Sequence, residues 1–208
     1  MTRSKHSVDK AFLVENFAYR IGIYHPKADV QIGTGDPTAN ILVVQKNRKM
    51  PDRDAITGAL KRFGLLKEAY RATTEVIQFE TPAATSPDGD EYHDLIRQGQ
   101  RGGKPKTDDE LNSYYLRELI ELIQPLVVVA CGPEVMGMLR GQKVRSFKTY
   151  SGKVFRAKDL TKPIFYATLD PATYGFARAP QDLKQQGEKE WSNLAQLLEE
   201  EKQKQNDD

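Results

Sequence analysis

Cysteine is almost missing from this chain: Cys131 is the single one in 208 residues. One thiol makes no internal disulfide and cannot supply a cysteine-based zinc or iron–sulfur site. Histidine is scarce as well. His6, His25 and His93 are scattered without ligand spacing, so each reads as a surface or structural residue rather than a metal ligand. Charge of one sign is not in excess: charged residues make up 29% of the chain, yet the net charge is only +2. That excludes a polybasic tail and leaves any nucleic-acid binding to a local basic patch. No apolar run approaches the length of a membrane span, and the opening MTRSKHSVDK has no signal-peptide core. Nothing repeats internally. These absences lead to the expectation of a soluble, cytoplasmic protein with no metal and no cofactor.

The chain is long enough for one domain with a proper core. The expected domain spans residues 1–199, with 200–208 a charged, frayed tail. Its most informative stretch is Asn40–Lys49, NILVVQKNRK. Ile41-Leu42-Val43-Val44 is short, branched and apolar throughout, as a strand buried on both faces of a parallel sheet requires. A glycine turn, Gly33-Thr34-Gly35-Asp36-Pro37, leads into it. Gln45, Lys46, Asn47, Arg48 and Lys49 follow it, all polar, with Pro51 closing the loop. In open α/β sheets, ligands bind off the carboxyl ends of the strands, where this cluster would stand.

The rest of the chain alternates in type. Helical spacing over Asp9–Ile21 predicts a first helix, and Asp52–Leu66 a second ending near Gly64. Thr73–Phe79, rich in β-branched residues, reads as the second strand. Pro82–Lys106 is a long polar loop with a short apolar helix around Tyr92, Leu95 and Ile96, and loops of this length are commonly functional or disordered. Thr107 or Asp108 caps a third helix running to about Gln124, where Pro125 ends it. Leu126–Cys131 is the third strand, followed by a short helix after Gly132-Pro133. Residues 141–160 read as irregular or as a hairpin around Ser151-Gly152. Ile164–Thr168 is the fourth strand, delivering Leu169-Asp170-Pro171-Ala172, and a last helix surrounds Trp191, Leu194 and Leu198. Alternation of this kind predicts a three-layer α/β/α fold with a central four-stranded parallel sheet, its strands at Ile41, Glu75, Val128 and Phe165.

The order of four segments resembles the uracil-DNA glycosylase superfamily, most closely its family 4 branch. Gly33–Val44 resembles that branch's glycine turn and first strand. Thr74–Pro82 resembles its second strand, usually TNVVKCRPP. Lys106–Gly132 resembles its long helix and third strand. Ser151–Val154 and Phe165–Pro180 resemble its RGK segment and closing TYHPxxLLRxP motif. The departures matter. The branch's GEAPG motif falls on Gln45–Lys49, without the opening glycine and the proline. Its third place, which carries a water-positioning Asp or Asn in other branches, is Asn47. The closing histidine falls on Asp170, and the uracil-reading asparagine on Glu75. The four cluster cysteines are absent, with Phe79 and Ser113 in two of their places. The resemblance therefore implies a DNA glycosylase-like fold without an iron–sulfur cluster.

It also implies a site. Asn47 and Asp170 are the expected catalytic residues, one orienting water and one placing a carboxylate near a cationic sugar. Gln45 and Lys46 join Glu75 as expected base-binding residues. A carboxylate only accepts hydrogen bonds, so Glu75 suits a base presenting an amino group, such as N4 of cytosine, better than uracil. Arg48, Lys49, Lys104, Lys148, Lys153 and Arg178 are the expected backbone contacts, with Arg101 and Lys106 nearby. Tyr174 and Phe176 could serve as a wedge when a base is flipped. Each of these has a plainer alternative: Asp170 as an Asp-Pro turn or helix cap, Glu75 in an ion pair with Lys46 or Arg71, the cations as solubility charge. The expected function is hydrolysis of an N-glycosidic bond at a flipped base, with modified cytosine favoured over uracil. DNA repair or defence against phage carrying modified DNA is the expected setting, DNA the partner, and a monomer the state. Two other classes stay open. One is an inactive superfamily member that binds DNA or a protein. The other is a nucleoside or nucleotide hydrolase or transferase.

Overall fold

A computed structural model describes residues 5–26, 28–46, 52–79, 108–175 and 179–207. Helix α1 (Lys5–Tyr24) opens the chain, followed by strands β1 (Ala28–Val30) and β2 (Ile41–Gln45). Helix α2 (Asp52–Arg62) and a 3-10 turn, Leu66–Glu68, lead into β3 (Ala69–Thr73) and β4 (Ile77–Phe79). Helix α3 (Asp108–Ile123), β5 (Val127–Cys131) and α4 (Pro133–Arg140) follow. The last elements are β6 (Lys153–Phe155), β7 (Ile164–Thr168), the single-turn α5 (Pro171–Tyr174) and the long α6 (Gln181–Asp207).

The main sheet has five strands in the order β3-β2-β5-β7-β6. The first four are parallel, and β6 pairs antiparallel with β7. β2 and β5 are buried at every position because both of their faces are covered. The period of two sorts their side chains between two cores. Leu42, Val44, Val128 and Ala130 pack with Phe17 of α1, Leu116 and Leu119 of α3 and Met136 of α4. Ile41, Val43, Val127 and Val129 pack with Ile56 and Leu60 of α2 and with Trp191, Leu194 and Leu198 of α6. The chain is thus mixed α/β with a mostly parallel central sheet, and no helix among the described residues is long and apolar enough to cross a membrane.

Several expectations need correction. The sheet has five strands, not four, because Lys153–Phe155 closes its far edge. The second parallel strand is Ala69–Thr73, not Thr73–Phe79. Arg71 disguises it: on an edge strand the guanidinium reaches out to the Thr57 hydroxyl at 2.7 Å, so the run does not look apolar. Ile77–Phe79 instead pairs antiparallel with β1 in a separate two-stranded sheet. There, buried Asn112 grips the Ile77 backbone from both sides, accepting from its N–H at 2.8 Å and donating to its carbonyl at 3.1 Å. Helix α6 runs on through the charged tail to Asp207. Lys202 extends the buried face of Trp191, Leu194 and Leu198 by one turn and pairs with Glu68 at 2.6 Å. The second helix stops at Arg62 rather than Leu66. His25 is structural, as expected, with its Nε2 2.9 Å from the Tyr115 hydroxyl.

The glycine turn before β2 lies along the outer edge of β3. Thr34 and Arg71 exchange backbone hydrogen bonds, 2.8 and 2.9 Å. A Cβ at Gly33, whose φ is +109°, would stand 2.4 Å from the Arg71 carbonyl oxygen. Gly33→Ala should therefore cost about 1–3 kcal/mol. Gly58, inside α2 with no heavy atom within 4 Å of the same construction, should behave oppositely, Gly58→Ala gaining up to about 1 kcal/mol. Urea unfolding of the two variants checks both signs.

Candidate functional site

The strand order creates a divergence at the sheet's carboxyl edge. From β2 the chain passes through α2 to β3 on one side, whereas from β5 it passes through α4 to β7 on the other. Loops that part in this way leave a crevice above the two strand ends, the usual ligand position in open α/β sheets. Lys46 stands on one bank and Glu134 on the other, and their ion pair crosses it at 2.6 Å. Both side chains are more than half exposed, so the pair adds little to stability. The hydrogen bond to Glu134 leads in raising the pKa of Lys46, against a smaller desolvation effect, with Glu75 and Asp109 adding to it. The ammonium therefore stays charged over the whole neutral range.

On the β3 side, backbone bonds lock two loops together. The Thr74 N–H donates to the Gln45 carbonyl at 2.8 Å, and its hydroxyl to the Lys46 carbonyl at 3.0 Å. Gln45, buried as the last residue of β2, and Glu75, half-buried just past β3, are thereby held near each other. Glu75 Oε2 accepts from Gln78 Nε2 at 2.6 Å. Of the two cations expected as alternative partners of Glu75, Lys46 bridges to Glu134 and also feels the Glu75 charge, and Arg71 bonds Thr57. The pinning residues Thr73 and Thr74 were not singled out by sequence, because threonine in a strand carries no signal beyond β propensity.

Asp170 follows β7 directly. It caps α5, its Oδ1 accepting from the Ala172 N–H at 3.0 Å. The plainer expectation, a helix cap, is thus what its geometry displays. Beside it, Gly132 adopts φ +93°, and a Cβ there would lie 3.7 Å from Asp170 Cβ, so the loops after β5 and β7 touch. Asp170 and Glu75 stand at the same carboxyl edge but on the two outermost of the four parallel strands, β7 and β3. Three strand spacings of about 4.8 Å separate their loops by roughly 14 Å.

Beneath Asp170 lies a carboxylate that sequence reading missed. Glu190, on α6, is buried and takes four hydrogen bonds. Ser151 Oγ and Gln186 Nε2 donate to its Oε1 at 2.6 and 2.9 Å, and Thr168 Oγ1 and the Leu169 N–H to its Oε2 at 3.1 and 2.7 Å. Within a helix of alternating charge, only its position beside Trp191 could have marked it. Cys131 is buried nearby. Desolvation, helped by Asp170 and Glu190, pushes its thiol's pKa well up, so it is no nucleophile.

Tyr174, expected as a wedge, is half-buried after Asp170. Its ring lies on Gly187 of α6, where a Cβ would come within 2.5 Å of it. Its hydroxyl, like the Trp191 indole N–H, is buried without a hydrogen-bond partner among the described residues. Tyr174 lines a groove of about 510 Å³ between α2, α5 and α6, which includes none of Gln45, Lys46, Glu75 or Asp170.

Lys148 and Lys153 are exposed, and Lys153, opposite Ala167 of β7, stands at the β6 side of the same carboxyl edge. They belong to a larger basic segment. Residues 140–162 hold eight lysines and arginines against one acid, Asp159. A running local charge would have found it where the near-zero total conceals it. Asn47, Arg48, Lys49, Lys104 and Arg178 lie outside the described residues, as do Tyr92, Leu95, Ile96, Arg101, Lys106 and Phe176. No family model matches the chain, and a search of curated proteins finds no match.

Glu190 gives this edge its testable feature. Glu190→Ala strands Thr168 Oγ1 and the Leu169 N–H in the interior, at about 1–3 kcal/mol for each buried group left unpaired. Glu190→Gln should also destabilise, because its NH2 would face donors. Denaturant midpoints of both variants, with Lys46→Ala as a near-neutral control, measure this.

Proposed function

We propose that this protein is a three-layer α/β/α member of the uracil-DNA glycosylase superfamily that hydrolyses the N-glycosidic bond of a flipped, modified base, with an amino-bearing pyrimidine preferred to uracil. The observation that carries the reading is that Gln45, Lys46, Glu75 and Asp170 all stand along the carboxyl edge, Glu75 on one side of the crevice between β2 and β5 and Asp170 on the other, with Lys153 farther along the same edge.

In the proposed reaction the C1′–N bond breaks, with its electron pair leaving on the base, and positive charge develops on the sugar. The Asp170 carboxylate stabilises that charge, and a water held by Asn47 adds to C1′. One water proton goes to the departing base and the hydroxyl remains on the sugar, leaving an abasic site. Glu75 accepts a hydrogen bond from the amino group of the base. Against uracil it would meet O4 acceptor to acceptor, a buried mismatch worth about 1–3 kcal/mol. That is roughly tenfold to a hundredfold in rate, each 1.4 kcal/mol being tenfold.

Incubation with oligonucleotides bearing uracil, mismatches and modified cytosines, scored for abasic sites, tests the activity. Single-turnover excision by Glu75→Asn should shift preference toward uracil by that factor. An unchanged ratio removes Glu75 from base reading. One observation favours a second reading, a binding-only member: the Asp170 carboxylate already serves as a helix cap. Binding without abasic sites on any substrate would establish that reading.

Backbone contact has its own measurement. Replacing Lys148 and Lys153 by Ala should weaken DNA binding across sequences and lower the log–log salt slope by about two. Unchanged binding at low salt removes both lysines from the interface.

A further inference from the structure

Helix α1 carries two stripes. Val14, Phe17 and Ile21 face the core and are buried. The second stripe faces away. Phe12, Tyr19 and Ile23 are 62%, 69% and 58% exposed, with Asn16 exposed between them and Leu13 beside them at 45%. Scattered apolar residues on a surface need no explanation, but these are ordered. The sequence positions 12, 16, 19 and 23 step by four, three and four, which is the a/d seam of a coiled coil: Phe12 and Tyr19 at d, Asn16 and Ile23 at a. Glu15 then falls at g and Arg20 at e, the positions that choose partner and orientation.

We propose that this outer face of α1 binds a second copy of the same chain, the two helices parallel and related by a two-fold axis. Charge selects both partner and direction. In a parallel pair, g meets e′ of the next heptad, so Glu15 faces Arg20 of the second copy, twice by symmetry. An antiparallel pair sets Glu15 against Glu15 and Arg20 against Arg20. Asn16 agrees, since a polar Asn at a is matched by its own copy only when the helices are parallel and in register. A β-branched Ile at a favours two strands. Arg20 already pairs with Glu118 of its own chain and lies over the Phe17 ring at 5.6 Å, on the flank of α1 that meets α3; its side chain stays half exposed, so Glu15 of the second copy would add a second carboxylate to the same guanidinium. The seam is short. Two aromatics, each burying about 150–250 Å² at most, and two aliphatics fall below the roughly 800 Å² per partner of a standard interface. The dimer is therefore weak and dependent on concentration, and dilute protein is the expected monomer.

Sedimentation of the full chain over a concentration series tests the proposal. The weight-average mass should rise from 23.5 kDa toward about twice that value between about 10 µM and 1 mM. Tyr19→Glu and Glu15→Arg should each abolish the rise while melting like wild type, as exposed positions allow. Arg20→Glu should abolish it too. Mixing the Glu15→Arg and Arg20→Glu proteins should restore association, because only the mixed pair sets opposite charges at both g–e′ contacts. A mass that stays at 23.5 kDa overturns the proposal, including the case in which the stripe is covered within one chain. So does association that survives Tyr19→Glu, or a mixture of folded variants that stays monomeric.

Discussion

The buried carboxylate of Glu190 holds the candidate site together. Its two oxygens take hydrogen bonds from α6 itself, from the turn before β6, from the end of β7 and from the first backbone N–H of the loop beyond. A buried charge needs partners of this number, and here they come from three separate stretches of chain. Satisfying the charge and fixing the loop are consequently one event. Gly152 shows how close the approach is, since a Cβ there would meet Glu190 Cγ at 3.1 Å. Asp170, one residue beyond Leu169, inherits its position from this arrangement. On the other bank, Thr74 does the corresponding work with two neutral hydrogen bonds, so the two halves of the edge are built from unlike materials.

The sheet's centre was legible in the sequence because burial on both faces demands unbroken apolar runs, and Ile41–Val44, Val127–Cys131 and Ile164–Thr168 are such runs. The edges were not legible. β3 hides behind Arg71, and β6 is three residues long with an exposed Val154. The second strand was misplaced by a β-branched segment that does form a strand, but in another sheet. Whether a segment joins the central sheet depends on long-range partners such as Asn112, which no local pattern contains. The last helix was underestimated because its terminal charges read as solvated, although one of them, Lys202, has a specific partner at the amino edge.

The site was legible in part. Residues chosen for their place after a strand, Gln45, Lys46 and Asp170, do stand at strand ends, as sheet geometry requires. Glu75 reached the same edge although its strand was misassigned, because β3 ends two residues before it. The packing of Tyr174 was not legible, because its proximity to Asp170 in sequence says nothing of Gly187, the residue that makes room for its ring. The basic character was visible only in part, as the rest of the chain offsets what residues 140–162 concentrate in one stretch.

The arm at Thr34 has a consequence for solubility in the crowded state. An open sheet has two rims of unpaired backbone groups, each a template for adding a strand from another molecule. On the β3 rim, the Thr34–Arg71 bridge occupies the backbone, and the glycines that let the arm lie flat leave no gap for an intruder. The β6 rim is exposed, but it is three residues long and begins with a lysine and is followed by Arg156. Like charges would repel an identical rim approaching it. The protein thus guards one side of its sheet by occupation and the other by brevity and charge, both of which disfavour strand addition to its main sheet.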